Sequence, residues 1–303
     1  MTNPARFLGV DGGQSSTLAL VGDENGEVIG RGLGGPCQKE GSLREALEQA
    51  GALGGTFEAA CFGLSGRPSA QEAAARELIR ADRFLFTHDA DIALTGALAG
   101  EPGIIVIAGT GSIAFGRDGS GKTARAGGWG YAFGDEGGAF DLVRQALRAI
   151  LRQEEGWGPA TALRDLFLAE AEVESAHALL HRFAGGEVTK AQLARLAPLV
   201  DQAAATGDHA AQDILKSAAQ QLATFAAAVR GQLFEMEESV SISYAGGVFR
   251  SPVILGRFHM LLELEDGNRV APPRYGPAAG ALLQAYRTSE RTCMLKNVPE
   301  EKS

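Results

Sequence analysis

The feature that most constrains the fold is a glycine-rich corner that follows a buried strand near the middle of the chain. The strand is Ile104-Ile105-Val106-Ile107, an apolar and mostly β-branched run that predicts a strand covered on both faces. The corner is Ala108-Gly109-Thr110-Gly111-Ser112. Because it carries no bulky side chain, its backbone N–H groups can approach an anion closely, and its two hydroxyls add donors. This chemistry indicates a phosphate site.

Two known glycine patterns overlap here, and the residues that follow them argue against both. Gly109-x-Gly111-x-x-Ala114 matches a dinucleotide fingerprint, and Gly116-x-x-x-x-Gly121-Lys122-Thr123 matches a P-loop. Both patterns require a helix directly after the glycines. The sequence instead continues as a strand into the turn Asp118-Gly119-Ser120-Gly121, which favours a hairpin. We interpret Lys122 as part of a solvated hairpin tip, with a true P-loop as the less favoured alternative.

The same layout occurs at the start of the chain. A strand over Arg6–Val10 leads into Asp11-Gly12-Gly13-Gln14-Ser15-Ser16-Thr17, and strands at Leu18–Val21 and Glu27–Leu33 follow. The glycines and hydroxyls indicate a second anion cradle, in which Asp11 could hold Mg²⁺ directly or through water. The alternative is a simple tight turn. Two such hairpins facing one another could grip the phosphates of one nucleotide.

Between the two hairpins, predicted helices (42–52, 69–81 and 91–99) alternate with predicted strands (59–64 and 84–87). This alternation indicates crossover units on a largely parallel sheet, whose ligands sit beyond the carboxyl ends of the strands. Ser65-Gly66 and His88-Asp89-Ala90 should therefore open onto one cleft. Asp89 could accept the proton of a substrate hydroxyl. Its alternative role is a helix N-cap. We expect His88 to be a neighbouring structural or rim residue rather than a base.

The region after the second hairpin contains two candidate sugar-binding residues. Gly127-Gly128-Trp129-Gly130 is followed by Asp135-Glu136 and by a helix predicted over 140–151. An acid at this place could stabilise that helix through the positive end of its dipole, or it could accept hydrogen bonds from sugar hydroxyls. Trp129 could be a stacking platform for a sugar or a buried core ring.

The rest of the chain is predicted to be mainly helical. Helical spacing covers 159–234, and a strand at 239–244 leads into the corner Ala245-Gly246-Gly247-Val248-Phe249. Glycines at a strand end let a flat adenine or ribose approach the backbone. A helix at 250–264, a strand at 269–271 and a helix at 277–286 follow, and we expect the polar end, 288–303, to be frayed.

Composition narrows the class of function. The 303 residues carry a formal net charge of -9, which argues against a nucleic-acid surface, since such a surface needs a basic face. The three cysteines, Cys37, Cys61 and Cys293, are scattered, which fits free thiols in a reducing compartment. The first residues lack the features of a signal peptide, and no apolar run reaches membrane-spanning length. We expect a cytoplasmic protein that acts on a small molecule.

In order along nearly the whole chain, these stretches resemble the actin/hexokinase/Hsp70 ATPase superfamily, and within it the BadF/BadG/BcrA/BcrD ATPase and N-acetylglucosamine kinase family. The corner at Asp11 is similar to the first phosphate motif, the corner at Ala108 to the second, and the corner at Ala245 to the adenosine motif. The most family-specific part is Gly127-Gly-Trp-Gly with Gly134-Asp-Glu-Gly.

The resemblance implies an α/β fold of two ribonuclease-H-like lobes, with mixed sheets flanked by helices and an interlobe cleft. It implies an N-terminal ATPase lobe at 1–107 and a C-terminal ATPase lobe at 108–303. The second lobe would contain a helical insertion at about 157–235, and the last helix would be able to pack back on the N-terminal lobe. The implied cofactors are ATP and Mg²⁺, and the implied reaction is phosphoryl transfer to a hydroxyl of an amino sugar.

The resemblance also implies roles for individual residues. Asp89 matches the catalytic base, which also contacts the substrate, and Asp11 matches the magnesium-associated acid. The residues matched to ATP and its phosphates are Asp11, Gly12, Gly13, Ser15, Ser16, Thr17, Gly109, Thr110, Gly111, Gly246 and Gly247. The residues that match or adjoin positions holding the sugar are Gln38, Ser65, Gly66, Ser112, Gly128, Trp129, Gly130 and Asp135.

Two positions depart from the family pattern. Gln14-Ser15-Ser16-Thr17 stands where the first motif usually has Gly-Thr-Lys-Thr, and Cys37-Gln38 stands where Ser-Asn is common, with the Asn contacting the sugar. The longer amide of Gln38 changes the geometry of that contact. The same family contains activators of 2-hydroxyacyl-CoA dehydratases, which use a cysteine-ligated cluster that the dispersed cysteines of this chain cannot supply.

We therefore expect an ATP-dependent sugar kinase acting on N-acetylglucosamine, glucosamine or N-acetylmuramic acid. Its partner would be the small-molecule sugar, with no nucleic acid and no membrane, and a homodimer is compatible with the sequence. One alternative is a nucleotide-dependent ATPase or activator without a sugar substrate, and another is a non-catalytic sugar sensor. The presence of Asp11, Asp89 and Thr110 argues against a sensor, which does not need all three.

Overall fold

The structure is a computed structural model that describes residues 6–65, 69–184 and 188–301. Contacts within the chain divide it into two compact units. Unit 1 contains the chain up to Ile105 together with its end from Pro272, and unit 2 contains Val106–Ala271. The strands form two five-stranded sheets.

The first sheet combines an antiparallel hairpin with parallel crossovers. Its strands are β1 (Arg6–Gly12), β2 (Thr17–Asp23), β3 (Val28–Gly34), β4 (Thr56–Leu64) and β5 (Arg80–His88). They follow the order β3-β2-β1-β4-β5, in which β1, β2 and β3 are antiparallel neighbours and β1, β4 and β5 run parallel. The helices of unit 1 are α1 (Ser42–Gln49), α2 (Ser69–Leu78), α3 (Asp89–Ala97) and the last helix of the chain, α11 (Pro277–Thr288).

The second sheet repeats this arrangement. Its strands are β6 (Gly103–Ala108), β7 (Ser112–Arg117), β8 (Thr123–Gly127), β9 (Val240–Ala245) and β10 (Asn268–Val270), in the order β10-β9-β6-β7-β8. The helices of unit 2 are α4 (Ala139–Glu154), α5 (Leu163–Glu170), α6 (Ala176–Ala184), α7 (Lys190–Ala194), α8 (Pro198–Ala205), α9 (His209–Leu233) and α10 (Pro252–Glu263). A 3-10 turn at Gly247–Arg250 follows β9.

In each sheet, three strands that are consecutive in the chain lie side by side, and two strands from later in the chain extend the sheet next to the first of the three. The similar layout inferred at the two glycine corners is present in the strand orders. The predicted α/β class, with two mixed sheets flanked by helices, is confirmed.

The central strand of the first sheet is buried on both faces, because successive side chains enter two different cores. Leu8 and Val10 belong to the core that contains residues of α1 and α2. Phe7 belongs to the core that contains residues of α11, together with Leu20 of the neighbouring strand β2. Within that second core, the rings of Phe7 and Tyr286 lie 4.1 Å apart between centroids. A strand covered in this way needs side chains without charge, and residues 7–10 of β1 are apolar or glycine.

Helices α3 and α11 cross at a distance that only glycine permits. A Cβ added to Gly280 of α11 would overlap the carbonyl oxygen of Ile92 in α3. A Cβ added to Gly96 of α3 would overlap the carbonyl oxygen of Gly276, just before α11. The two backbones are therefore in direct contact, which fixes the position of α11 on the sheet.

The hairpin interpretation of the second glycine corner is confirmed. β7 and β8 pair in antiparallel register, with Arg117 opposite Thr123. Lys122 is exposed in the connecting turn, where its Nζ donates to the carbonyl of Gln232 at 3.0 Å. The P-loop alternative is wrong, since no helix begins there. Cys37, Cys61 and Cys293 are free thiols, as expected.

Two sequence predictions are wrong. The helix predicted over 69–81 ends at Leu78, because Arg80 already pairs with Thr56 in the parallel β4–β5 ladder. The end of the chain is not frayed through residue 301. Leu295 is buried, and the backbone of Lys296 bonds to that of Gly26 and Val28. None of the described helices combines the length and apolar character that a membrane crossing requires.

We expect Gly280→Ala to lower the free energy of unfolding by about 1–3 kcal/mol, since the added methyl would push α11 away from α3. Gly231→Ala is the matched control. Gly231 lies in α9, and a Cβ added there meets nothing within 4 Å, so alanine should stabilise that helix by about 0.5–1 kcal/mol. Urea denaturation of both variants measures the difference. A Gly280→Ala protein as stable as the wild type would contradict the close crossing.

Candidate functional site

The corner between β1 and β2 is a tight turn that leaves two hydroxyls exposed. The N–H of Gly13 donates to the carbonyl of Ser16 at 2.9 Å, and both Ser15 and Ser16 are exposed. Thr17 differs, because its side chain is buried and its hydroxyl donates to the carbonyl of Gly35 at 2.9 Å. Ser15 and Ser16 are therefore the hydroxyls of this corner that a ligand can reach.

Three strand ends meet at this corner. The N–H of Cys37, after β3, donates to the carbonyl of Gly13 at 3.0 Å, and the N–H of Ser65, after β4, donates to the carbonyl of Gly12 at 2.9 Å. The Sγ of Cys37 lies 3.8 Å from the Oγ of Ser65, and both side chains are buried. The structure thus brings Ser65 beside the predicted phosphate corner, and Gln38 is exposed next to it.

Asp89 lies at the same edge of the sheet as Ser65. β4 and β5 pair in parallel with Leu64 opposite His88, so Ser65 and Asp89 are the residues that follow two neighbouring strands. Asp89 is the first residue of α3, and His88 occupies the N-cap position without a side-chain cap. The N-cap interpretation of Asp89 is therefore wrong. Gly66, the other predicted sugar residue here, lies outside the described residues.

Burial raises the pKa of Asp11 and of Asp89, and like charges add to the effect at Asp11. The pKa of Asp11 rises from 3.8 to about 7, chiefly because of burial and then because of the negative charges of Glu301 and Asp89. Asp89 is open to solvent, but the surrounding protein still raises its pKa by desolvation, against the opposing effects of the Ala90 N–H and His88. A carboxylate with a raised pKa is suited to accept a proton near neutral pH.

The carboxylate of Asp11 fits a bound cation. Over the described ranges, Asp11 has no hydrogen-bond or ion-pair partner, and no group of three or more His, Cys, Asp or Glu side chains forms a ready metal cage. Magnesium suits such a site because it binds few protein oxygens and keeps several of its waters. The remaining ligands would then come from water and from the phosphates of a nucleotide.

In unit 2, helix α4 anchors the corner between β6 and β7. The N–H groups of Ala139 and Phe140, which begin α4, donate to the carbonyls of Gly109 and Thr110 at 2.8 and 3.1 Å. The N–H of Gly109 donates to the carbonyl of Gly111 at 2.9 Å. The corner thereby satisfies N–H groups that a helix start leaves unpaired. Thr110 itself is exposed, so a ligand can reach it.

The corner after β9 lies directly against the corner after β6. Gly246 has a φ of +103°, and a Cβ added there would overlap the carbonyl oxygen of Ala108. Both the backbone conformation and the space therefore require glycine at this position. Gly247 is exposed, with nothing within 4 Å of an added Cβ, so a flat ring can approach its backbone.

Three further residues meet beside the corner between β6 and β7, namely Ser112, Gly128 and Asp135. The hydroxyl of Ser112 donates to the carbonyl of Glu136 at 2.6 Å, and the N–H of Gly128 donates to the carbonyl of Ser112 at 2.9 Å. Asp135 has a φ of +62°, and its carboxylate faces Gly111, where an added Cβ would lie 2.6 Å from Oδ2. The structure thus brings together three residues that the sequence analysis assigned to the sugar.

Trp129 is 66% exposed, so the core-ring interpretation is wrong. The guanidinium carbon of Arg125 lies 4.3 Å from the centroid of its ring. Gly130, which follows, is exposed and has a φ of +81°. An exposed ring held by a cation is available as a stacking surface.

Asp135 is not the acid that stabilises the positive, N-terminal end of helix α4. The acid in the first turn of that helix is Asp141, which accepts from the N–H of Gly137 at 3.1 Å and pairs with Arg144 at 2.5 Å. Sequence analysis missed Asp141 in this role. The charge of Glu301, which acts on Asp11, was missed as well. The end of the chain is polar, and the buried Leu295 is the one sign in its sequence that it packs against the protein.

Comparisons with known proteins agree over most of the chain. The profile of the BadF/BadG/BcrA/BcrD ATPase family matches residues 8–285. The N-acetylmuramic acid/N-acetylglucosamine kinase of Clostridium acetobutylicum is 33% identical over 261 residues, covering 80% of this chain and 85% of that protein. The N-acetyl-D-glucosamine kinase of Dictyostelium discoideum is 26% identical, covering 94% and 98%. A solved structure from Chromobacterium violaceum, described as a candidate N-acetylglucosamine kinase, has a TM-score of 0.75 at 28% identity, covering 92% and 98%.

We expect Asp11→Asn to stabilise the protein in EDTA at pH 8.5 by up to about 4 kcal/mol. The folded-state pKa of Asp11 is about 7 against an ordinary 3.8, so ionisation above pH 7 destabilises the folded state relative to the unfolded one. The advantage of the variant should shrink as the pH falls through 7 and vanish near 4, where both states are protonated. Denaturant titrations between pH 4 and 8.5 measure it.

Asp118→Asn is the control of opposite sign. Hydrogen bonds from Ser120 and Lys122 lower the pKa of Asp118, a half-buried turn residue. This variant should therefore lose stability above pH 4 and regain it as the pH falls through the lowered pKa. If Asp11→Asn showed the same stability difference at every pH, the charge argument would fail.

Proposed function

The chain belongs to the BadF/BadG/BcrA/BcrD ATPase family, and on that premise we propose that it is an ATP-dependent kinase for an amino sugar. The observation that carries the proposal is the position of Asp89. It is an exposed carboxylate with a raised pKa, it follows the strand next to Ser65, and its charge acts on Asp11. A proton acceptor beside a phosphate corner is what transfer to a hydroxyl requires.

In the proposed reaction, Asp89 accepts the proton of one sugar hydroxyl, and the hydroxyl oxygen attacks the γ-phosphorus of ATP in line. The bond from that phosphorus to the bridging oxygen breaks, and ADP leaves. Ser15, Ser16 and Thr110 would donate to phosphate oxygens together with the backbone of both glycine corners. When bound, Mg²⁺ neutralises phosphate charge, with Asp11 as its acid. Gly246 and Gly247 would receive the adenosine.

Several polar and aromatic side chains are assigned to the sugar. We propose that Asp135 accepts hydrogen bonds from sugar hydroxyls and that Trp129 stacks on the apolar face of the ring. The other assigned residues are Gln38, Ser65, Gly66, Ser112, Gly128 and Gly130. An amino sugar is supported by the relatives, which are named for N-acetylmuramic acid and N-acetylglucosamine.

The cytoplasm is the proposed place of action. ATP is abundant there, and free thiols such as those of Cys37 and Cys61 stay reduced. The proposed partner is a small-molecule sugar, with neither nucleic acid nor membrane involved. A homodimer remains a prediction, which the molecular mass in solution checks.

A coupled assay of ADP release over a panel of sugars tests the proposal. The panel contains N-acetylglucosamine, glucosamine, N-acetylmuramic acid, glucose and a control with water alone. We expect little ADP without sugar, and an increase of at least about 100-fold with one amino sugar, since catalysis needs the acceptor hydroxyl in place. A rate of ADP release that is the same with and without sugar would indicate an ATPase or activator instead. Nucleotide binding without any turnover would indicate a sensor.

Replacing the proposed base should separate binding from chemistry. Asp89→Ala should lower kcat by about 10²–10⁴ while the Kd for ATP stays unchanged, because only proton transfer is lost. Asp82→Asn is the matched control, since Asp82 is an exposed acid on β5, the strand that Asp89 follows. Steady-state kinetics and calorimetric titration with ATP measure the two effects. Unchanged kcat in the Asp89 variant would exclude that residue as the base.

A further inference from the structure

The last described residues, up to Glu301, are attached to unit 1 at several points. Arg291 pairs with Glu58 at 2.9 Å, and Leu295 is buried in the core beside α11. The N–H of Lys296 donates to the carbonyl of Gly26 at 2.9 Å, and the carbonyl of Lys296 accepts from Val28 at 3.1 Å. This segment, 289–301, is hereafter the C-terminal tail. Its attachment determines where its last described residue lies.

That residue, Glu301, binds the start of helix α11. Its Oε2 accepts from the N–H of Ala278 and its Oε1 from the N–H of Ala279, both at 2.9 Å. These are the second and third residues of the helix. Gly276 makes room for the carboxylate, because a Cβ added there would overlap Oε2. Each oxygen accepts one N–H and keeps a second lone pair for another donor.

The first turn of α11 lies on β1 close to Asp11. A Cβ added to Gly9 would lie 2.8 Å from the carbonyl oxygen of Ala278 and would overlap the backbone of Leu282. Glu301, held on that first turn, is thus near the end of β1, and its charge contributes to the raised pKa of Asp11. Arg31 is the cation whose field reaches Glu301.

We propose that Glu301 is a second acidic residue of the magnesium–nucleotide site, one that accepts hydrogen bonds from the waters of the metal while Asp11 serves as its primary acid. This inference rests on the proposed function. Magnesium keeps part of its hydration shell, so an acid held in a fixed orientation can bind it through water. The two N–H groups of α11 supply that orientation, and the tail supplies the carboxylate.

Glu301→Gln tests the role with a readout that needs no catalysis. The amide keeps one acceptor for the helix but removes the charge. We expect Mn²⁺, used as the probe for Mg²⁺ in the presence of ADP and without sugar, to bind about 10-fold more weakly by electron paramagnetic resonance. Glu300→Gln is the matched control, because Glu300 is exposed on the same tail and makes no described contact with α11. It should bind Mn²⁺ like the wild type.

Gly276→Ala is a second variant, independent of the charge change. Gly276 has a φ of −79°, which alanine adopts freely, so the main effect of the methyl is to displace the Glu301 carboxylate. It should weaken Mn²⁺ binding to a similar extent, and adding Glu301→Gln to it should cause little further loss. This variant keeps the test open if Glu301→Gln folds poorly.

Unchanged Mn²⁺ affinity in both variants, with only a lower unfolding temperature, would overturn the proposal and leave Glu301 as a helix cap. A wild-type protein that binds no Mn²⁺ with ADP would also overturn it. A protein that binds Mn²⁺ with ADP through Glu301 but phosphorylates no sugar would end the kinase proposal and leave this inference standing.

Discussion

The candidate site of unit 1 depends on the close packing of helix α11 against β1 and α3. Glycines on all three elements let the backbones touch, at Gly9 on β1, Gly96 on α3 and Gly280 on α11. Backbone contact of this kind leaves no room for a helix to slide or rotate, because packed interiors have few voids. The end of β1, with Asp11, and the first turn of α11 therefore keep a fixed relation to each other.

That fixed relation holds together charges that do not favour the folded state. Asp11 is partly buried and feels the negative charges of Glu301 and Asp89, so its ionised form is costly. A structure under selection for stability alone would have little reason to keep such a group. The core on both faces of the sheet offsets the cost, and a bound cation would remove it. Perturbed acids of this kind cluster at functional sites.

The two glycine corners have equivalent places in sheets of the same strand order, but different contacts hold them. In unit 1 the corner is held by residues that follow two other strands, Cys37 and Ser65. In unit 2 it is held by the first N–H groups of α4 and by contact with Gly246. Both arrangements occupy carbonyl groups and leave exposed hydroxyls, on Ser15, Ser16 and Thr110. This suits a ligand that accepts hydrogen bonds, as phosphate does.

The sequence by itself determined both corners, the hairpin at Lys122 and the position of Asp89 after a parallel strand. Glycine spacing, β-branched runs and strand–helix alternation act over a few residues, so they can be recognised locally. Only the tertiary structure decided that the hydroxyl of Thr17 donates to Gly35 and that Trp129 is exposed. It also decided that Glu301 binds the N–H groups of Ala278 and Ala279, which lie 23 and 22 residues earlier in the chain. Burial, hydrogen-bond partners and the field of a distant charge are properties of packing, which no local pattern contains.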